Sequence, residues 1–252
     1  MNIRTRDSHY ARTKKWGAGQ TFLGFPLDIL SFRPSRPRRQ GGSISPRIDI
    51  MFKQACLILV IAGPSFVPLF DGGSLAGWTA IGSKPGNWRA EGGMLVARGD
   101  GKGWLSTNRA FGDFVLRLEY RIGPGGNSGV LIRAPHRGDP SFDGLEIQIL
   151  DDDSPAYKNL RPDQYTGSVY GVVAARRGQT RPPGQWNAME IRAEGSRVAV
   201  DLNGVRVVDA RVDDDNHLRE KHPGIRRSSG FLGLQSHESP MEFRNVAIRE
   251  LP

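Results

Sequence analysis

The segment Leu145-Glu146-Ile147-Gln148-Ile149-Leu150-Asp151 alternates apolar and polar residues, the spacing that sends successive side chains to opposite faces of a strand. Leu145, Ile147 and Ile149 feed a core, while Glu146 and Gln148 share the other face with Leu150. A sheet face bearing a carboxylate and an amide is either plain solvent surface or the floor of a polar groove. Composition alone favours solvent. Three neighbours weigh the other way: Arg133 closes one candidate strand, Tyr170 sits within another, and His237 follows the run Phe231–Gln235. A carboxylate, a guanidinium, a phenol and an imidazole at strand ends are the groups that proton transfer uses. No spacing in the sequence brings them together. Asp151 has the opposite strand parity to Glu146 and joins it only if a bulge intervenes.

Other chemistries are missing from the chain. It holds no P-loop, no dinucleotide-binding glycine motif opening a helix, no H-E-x-x-H and no G-x-S-x-G. Gly123-Pro124-Gly125-Gly126 reads as a turn, since no helix pattern follows it. The run Asp151-Asp152-Asp153 lacks the alternation and closing Glu of a calcium loop and reads as a solvated loop.

The elements that must position these residues are strands. Period-two runs cover Met94–Ala97, Trp104–Thr107, Phe114–Tyr120, Gly129–Arg133, Leu145–Leu150, Ser168–Val173, Trp186–Ala193, Arg197–Leu202, Val205–Val208, Gly230–Gln235 and Met241–Arg249. Glycine and proline clusters separate them. Asn203-Gly204 between two such runs predicts a type I′ hairpin, because both residues tolerate positive φ. No window of a dozen residues has helical periodicity. Many short strands without helices between them predict an all-β fold, two stacked antiparallel sheets in a β-sandwich. Two polar stretches, Asp151–Thr166 and Val212–Ser229, form loops long enough to carry function.

The charge is unevenly spread. The 252 residues carry a net +9, but residues 1–62 hold 11 Lys and Arg against three Asp, and the remainder holds 24 basic against 23 acidic side chains. A neutral domain behind a basic head removes the electrostatic case for nucleic acid. The head divides in two. Residues 1–50 are rich in Arg, Pro and Gly and read as a disordered leader ahead of the true translation start at Met51. Residues 51–62 read as a secretory signal, with Lys53, a short apolar run, and Val60 and Ala62 before a cut at Gly63. The apolar run is too short to span a membrane. The domain is then 63–252, secreted or periplasmic. The single cysteine, Cys56, falls inside that signal, so the domain has no disulfide and no cysteine chemistry.

The blocks Asn127–Arg133 (NSGVLIR), Gly144–Asp151 (GLEIQILD), Thr166–Val172 (TGSVYGV), Gln185-Trp186-Asn187, Leu202-Asn203-Gly204, Gly233–His237 (GLQSH) and Glu242–Ile248 (EFRNVAI) occur in an order that resembles the 3-keto-disaccharide hydrolase domain family. The opening Leu69–Trp78 resembles the family's start as well, with Gly73 where Asn is usual. The resemblance runs from about Phe66 to Leu251. It implies a concanavalin-like jelly roll, a carbohydrate substrate and cleavage of glycosides already oxidised to a ketone at C3. Such a reaction needs a base near C2, an electrophile at the C3 oxygen and an acid for the leaving oxygen. The resemblance then implies Glu146 and His237 for acid–base work or for holding a divalent metal, Arg133 for the enolate, and Gln148 and Tyr170 for sugar hydroxyls, with Asp151 a lesser candidate. Two alternatives stay open. A conventional glycoside hydrolase would place a second carboxylate where Gln148 stands. A non-catalytic sugar-binding module would use aromatic rings such as Trp88, Trp104 and Tyr170.

Overall fold

The computed structural model describes residues 65–213 and 216–252; the leader expected over 1–50 and the signal expected over 51–62 lie outside the described residues. Its strands are β1 (Val67–Pro68), β2 (Trp78–Ile81), β3 (Trp88–Glu91), β4 (Met94–Ala97), β5 (Lys102–Phe111), β6 (Phe114–Ile122) and β7 (Asn127–Ala134), then β8 (Leu145–Leu150) after a short helix α1 (Pro140–Asp143). There follow β9 (Trp186–Glu194), β10 (Arg197–Leu202), β11 (Val205–Arg211), a second short helix α2 (Asn216–Lys221), β12 (Gly230–His237) and β13 (Met241–Glu250). One sheet runs β11-β10-β9-β6-β13-β4-β3 with β1 paired to β13, and the other runs β2-β5-β12-β7-β8. Every ladder is antiparallel. The all-β sandwich of two sheets is as the sequence predicts.

The core lies between the sheets. Phe114, Leu116, Tyr120, Ile191 and Phe243 enter it from the larger sheet, and Leu105, Val130, Ile147 and Leu234 from the smaller. Alternation explains most of this, but bulges reset it, among them one in β13 and one in β7. In β13, Asn245 has φ +53°, and the inward residues pass from Met241 and Phe243 to Val246 and Ile248. In β7, Leu131 pairs with Gly233 and Ala134 with Phe231, so β7 has one residue more than β12 over that span. Arg133 sits there at φ +51°, the left-handed region that marks an extra strand residue.

The hairpin at 203–204 forms as expected, with Leu202 opposite Val205 and both turn residues at positive φ. Ser168–Val173 is not a strand. The amides of Val172 and Val173 both donate to the Val169 carbonyl, and Gly171 lies at φ +69°, so the segment closes on itself as a turn. Its touch on the sheet is the single bridge from Val169 to Ile147. The loop after β8 contains two short 3-10 turns, Pro155–Tyr157 and Pro162–Gln164, each opened by a proline. No helix among the described residues is long and apolar enough to cross a membrane.

Candidate active site

The face of the five-stranded sheet turned away from the core carries a cavity of about 700 Å³. Its floor follows from register. Gln148 pairs with Gly129 across β8 and β7, and Gln235 pairs with Trp104 across β12 and β5. Two residues on, Leu150 pairs with Asn127, and His237 with Lys102. All of these except Gly129 line the cavity, together with Glu146. Its walls come from α1, from the loop after β8 through Tyr157, Leu160 and Gln164, and from Tyr170 on the 168–173 turn.

Glu146 is only 4% exposed. Its side chain lies across Gly129: a Cβ at that position would stand 2.2 Å from the Glu146 Oε1. The glycine therefore clears a place for the carboxyl group beside Gln235. Burial raises the Glu146 pKa to about 7, with the Ser141 and Gln235 side chains pulling it back and Asp139 adding to the rise. That is the range in which a carboxyl group both takes and gives a proton near neutrality. His237 ends β12, two residues from Gln235, or about 7 Å along a strand.

Gln148 is buried, and its Nε2 donates to Asn127 Oδ1 at 3.0 Å and to the Ser128 carbonyl at 3.3 Å. The Tyr170 hydroxyl accepts from Gln164 Nε2 at 2.9 Å. Trp104 lies over Gly233, where a Cβ would meet its ring at 2.1 Å. Of the aromatic residues considered for sugar stacking, Trp104 and Tyr170 line the cavity and Trp88 belongs to the core.

Arg133 is not at this site. It has the same strand parity as Gly129 and Leu131, but the bulge turns it away. Its guanidinium is 2% exposed, with Nη2 donating to Asp113 Oδ1 at 2.8 Å and Nη1 to the carbonyls of Gly195 at 2.6 Å and Arg227 at 3.1 Å. Asp151 is also elsewhere. It caps the turn before β7 by accepting from the Gly125 amide at 2.7 Å, and it borders a separate small hollow beside Tyr120. Sequence reading passed over Gln235, Lys102, Asn127 and Gly129. Gln235 shares strand parity with His237 and was within reach of it. The rest depend on register between strands distant in sequence.

The metal reading rests on Glu146 and His237. Among the described residues no group of three or more His, Cys, Asp or Glu side chains is placed to hold an ion. Two such donors fall short of the three protein ligands of catalytic zinc sites, so no step below runs through a metal.

A curated 3-keto-disaccharide hydrolase of Bacteroides thetaiotaomicron is 24% identical, over 77% of this chain and 81% of that protein. Two solved structures from Parabacteroides distasonis, both described as candidate glycosyl hydrolases, superimpose with TM-scores of 0.64. They are 26% and 29% identical, each match covering 74% of this chain and 94% and 100% of the other. The family model for the 3-keto-alpha-glucoside-1,2-lyase-like domain matches residues 65–249, which include every residue of the cavity, and the chain belongs to that family.

Proposed function

We propose that this cavity cleaves glycosides whose sugar carries a ketone at C3, by elimination followed by hydration. The observation that carries the reading is one buried carboxyl group, Glu146, held near neutrality on a polar floor. The ketone acidifies the C2 hydrogen. Glu146 takes that proton, and the electron pair passes to the C3 oxygen as an enolate. Collapse of the enolate restores the ketone, forms the C1–C2 double bond and breaks the bond from C1 to the leaving oxygen, which takes a proton from His237. Water then adds at C1, giving up a proton to His237, and Glu146 returns its proton to C2, so both groups are restored. With Arg133 outside the cavity, Lys102 beside His237 is the cation that lines it and serves the enolate oxygen, a type of contact worth about 10²–10³-fold in rate.

The conventional two-carboxylate mechanism is less well supported. The other carboxylate lining the cavity is Asp139, which is exposed and accepts from the Ser141 amide as the cap of α1. Gln148, where a second carboxylate would stand, is tied to Asn127. The N-terminal signal reading joins this proposal as export of the domain to a compartment where glycosides are taken apart.

The test is turnover of a 3-keto-disaccharide beside its unoxidised parent. The native chain should release the leaving sugar from the keto form alone. Glu146→Gln and His237→Ala should each lower kcat by roughly 10²-fold or more. Binding of the plain disaccharide without turnover of either form would move the assignment to a sugar-binding module.

A further inference from the structure

Phe142 is 37% exposed, one of two large apolar side chains that the described residues leave in solvent. A single exposed apolar residue needs no explanation, but this one is fixed at the cavity wall. Its ring stacks on the His222 imidazole, with centroids 4.6 Å apart and planes at 26°, and meets the Tyr170 ring edge-on at 6.2 Å. His222 is 4% exposed and seated against the Gly171 turn, where a Cβ would stand 2.8 Å from its Nε2. Its Nδ1 is buried without a partner. Burial holds its pKa below the ordinary imidazole range, which makes it a neutral aromatic backing. Packing on one face leaves the other face of Phe142 for a ligand.

We propose that Phe142 is the stacking platform for the leaving group and selects a second sugar ring there. The inference rests on the reading of the cavity given above. Glu146 and Gln148 are 4% and 3% exposed, so the reacting ring lies deep on the floor. What reaches the mouth is the substituent at C1. The flat C–H face of a pyranose is the positive partner that the negative face of an aromatic ring attracts. A cavity of about 700 Å³ has room for that second ring. Phe142 is then a specificity residue, acting on binding and not on the bonds that break.

The experiment compares kcat/KM for a 3-keto-disaccharide with that for the methyl 3-keto-glucoside of the same anomer. In Phe142→Ala the ratio of the two should fall about 10-fold through KM, and Phe142→Tyr should keep it. Phe142→Leu, which retains apolar volume without a flat face, should behave as the alanine variant does. An unchanged ratio, whether both substrates lose equally or neither loses, would overturn the platform. If the native chain turns over neither substrate, the reading of the reaction has failed. Calorimetric binding of the unoxidised disaccharide and methyl glucoside then decides the inference separately. Selective weakening for the disaccharide in Phe142→Ala supports the platform. Equal affinities, or no binding by the native chain, overturn it.

Discussion

A carboxyl group as deeply buried as Glu146 is more stable neutral than charged, and this sets a measurable tension between folding and reaction. Its pKa rises from 4.5 to about 7. Below pH 4.5 both folded and unfolded chains hold the proton, and burial carries no electrostatic penalty. Between 4.5 and 7 the unfolded chain ionises first, so stability falls as pH rises, and above 7 the full penalty is present. A shift of that size amounts to about 3 kcal/mol. Glu146→Gln keeps the shape without the charge. It should therefore melt higher than the native chain near pH 8, with the gain shrinking toward pH 5, while turnover is lost. An equal gain at both pH values would mean that the carboxyl group is solvated. The sequence showed which face Glu146 occupies, because alternation in β8 is regular. It did not show that the face is covered, since the cover comes from α1 and the loop after β8. Arg133 was misplaced for a different reason: one inserted residue reverses parity, and nothing in its neighbours' composition marks the insertion.

Elements were legible where local chemistry alone decides the backbone. Asn203 and Gly204 have φ +51° and +83°. The Asn203 amide adds tertiary bonds, donating to the Gln179 carbonyl at 2.7 Å and to Asn187 Oδ1 at 2.8 Å. No atom lies within 4 Å of a Cβ built on Gly204, so a substitution there meets backbone strain and no clash. Gly204→Val should lower the unfolding free energy by about 1–2 kcal/mol. The denaturant midpoint should move at unchanged slope, and an unmoved midpoint would contradict the turn type. Ser168–Val173 has equally good alternation and is a turn, because Gly171 at positive φ and two amides on the Val169 carbonyl outweigh β-propensity. That turn brings Tyr170 to the cavity wall. Of the edge strands, β8 and β11 were legible, while the four-residue β2 and β3 went unread.

Across the molecule the two sheets divide the work. The outer face of the larger one is a lattice of opposite charges placed by cross-strand register, with Arg117 opposite Glu190 and Arg244 opposite Glu119, each pair bonded at 2.6 Å. Arg121 pairs with Glu242 in the same way, and Arg121 and Arg244 both cover the Trp186 ring. Exposed pairs of this kind contribute about 0–1 kcal/mol each; they balance the face without aiming it at a charged partner. The outer face of the smaller sheet is instead covered by loops and holds the cavity. If the substrate is the neutral sugar proposed above, a neutral domain has no long-range field to screen, so kcat/KM should change less than about twofold from roughly 50 to 500 mM salt. The excess charge lies in residues 1–62. If Met51–Ala62 directs export as proposed, the product recovered outside the cytoplasm begins at Gly63. It should then pass through a cation exchanger that retains the full-length chain. Sequencing the N-terminus of the exported protein decides the matter, since a product that still carries Arg4 to Arg47 would rule out both the start at Met51 and the cut before Gly63.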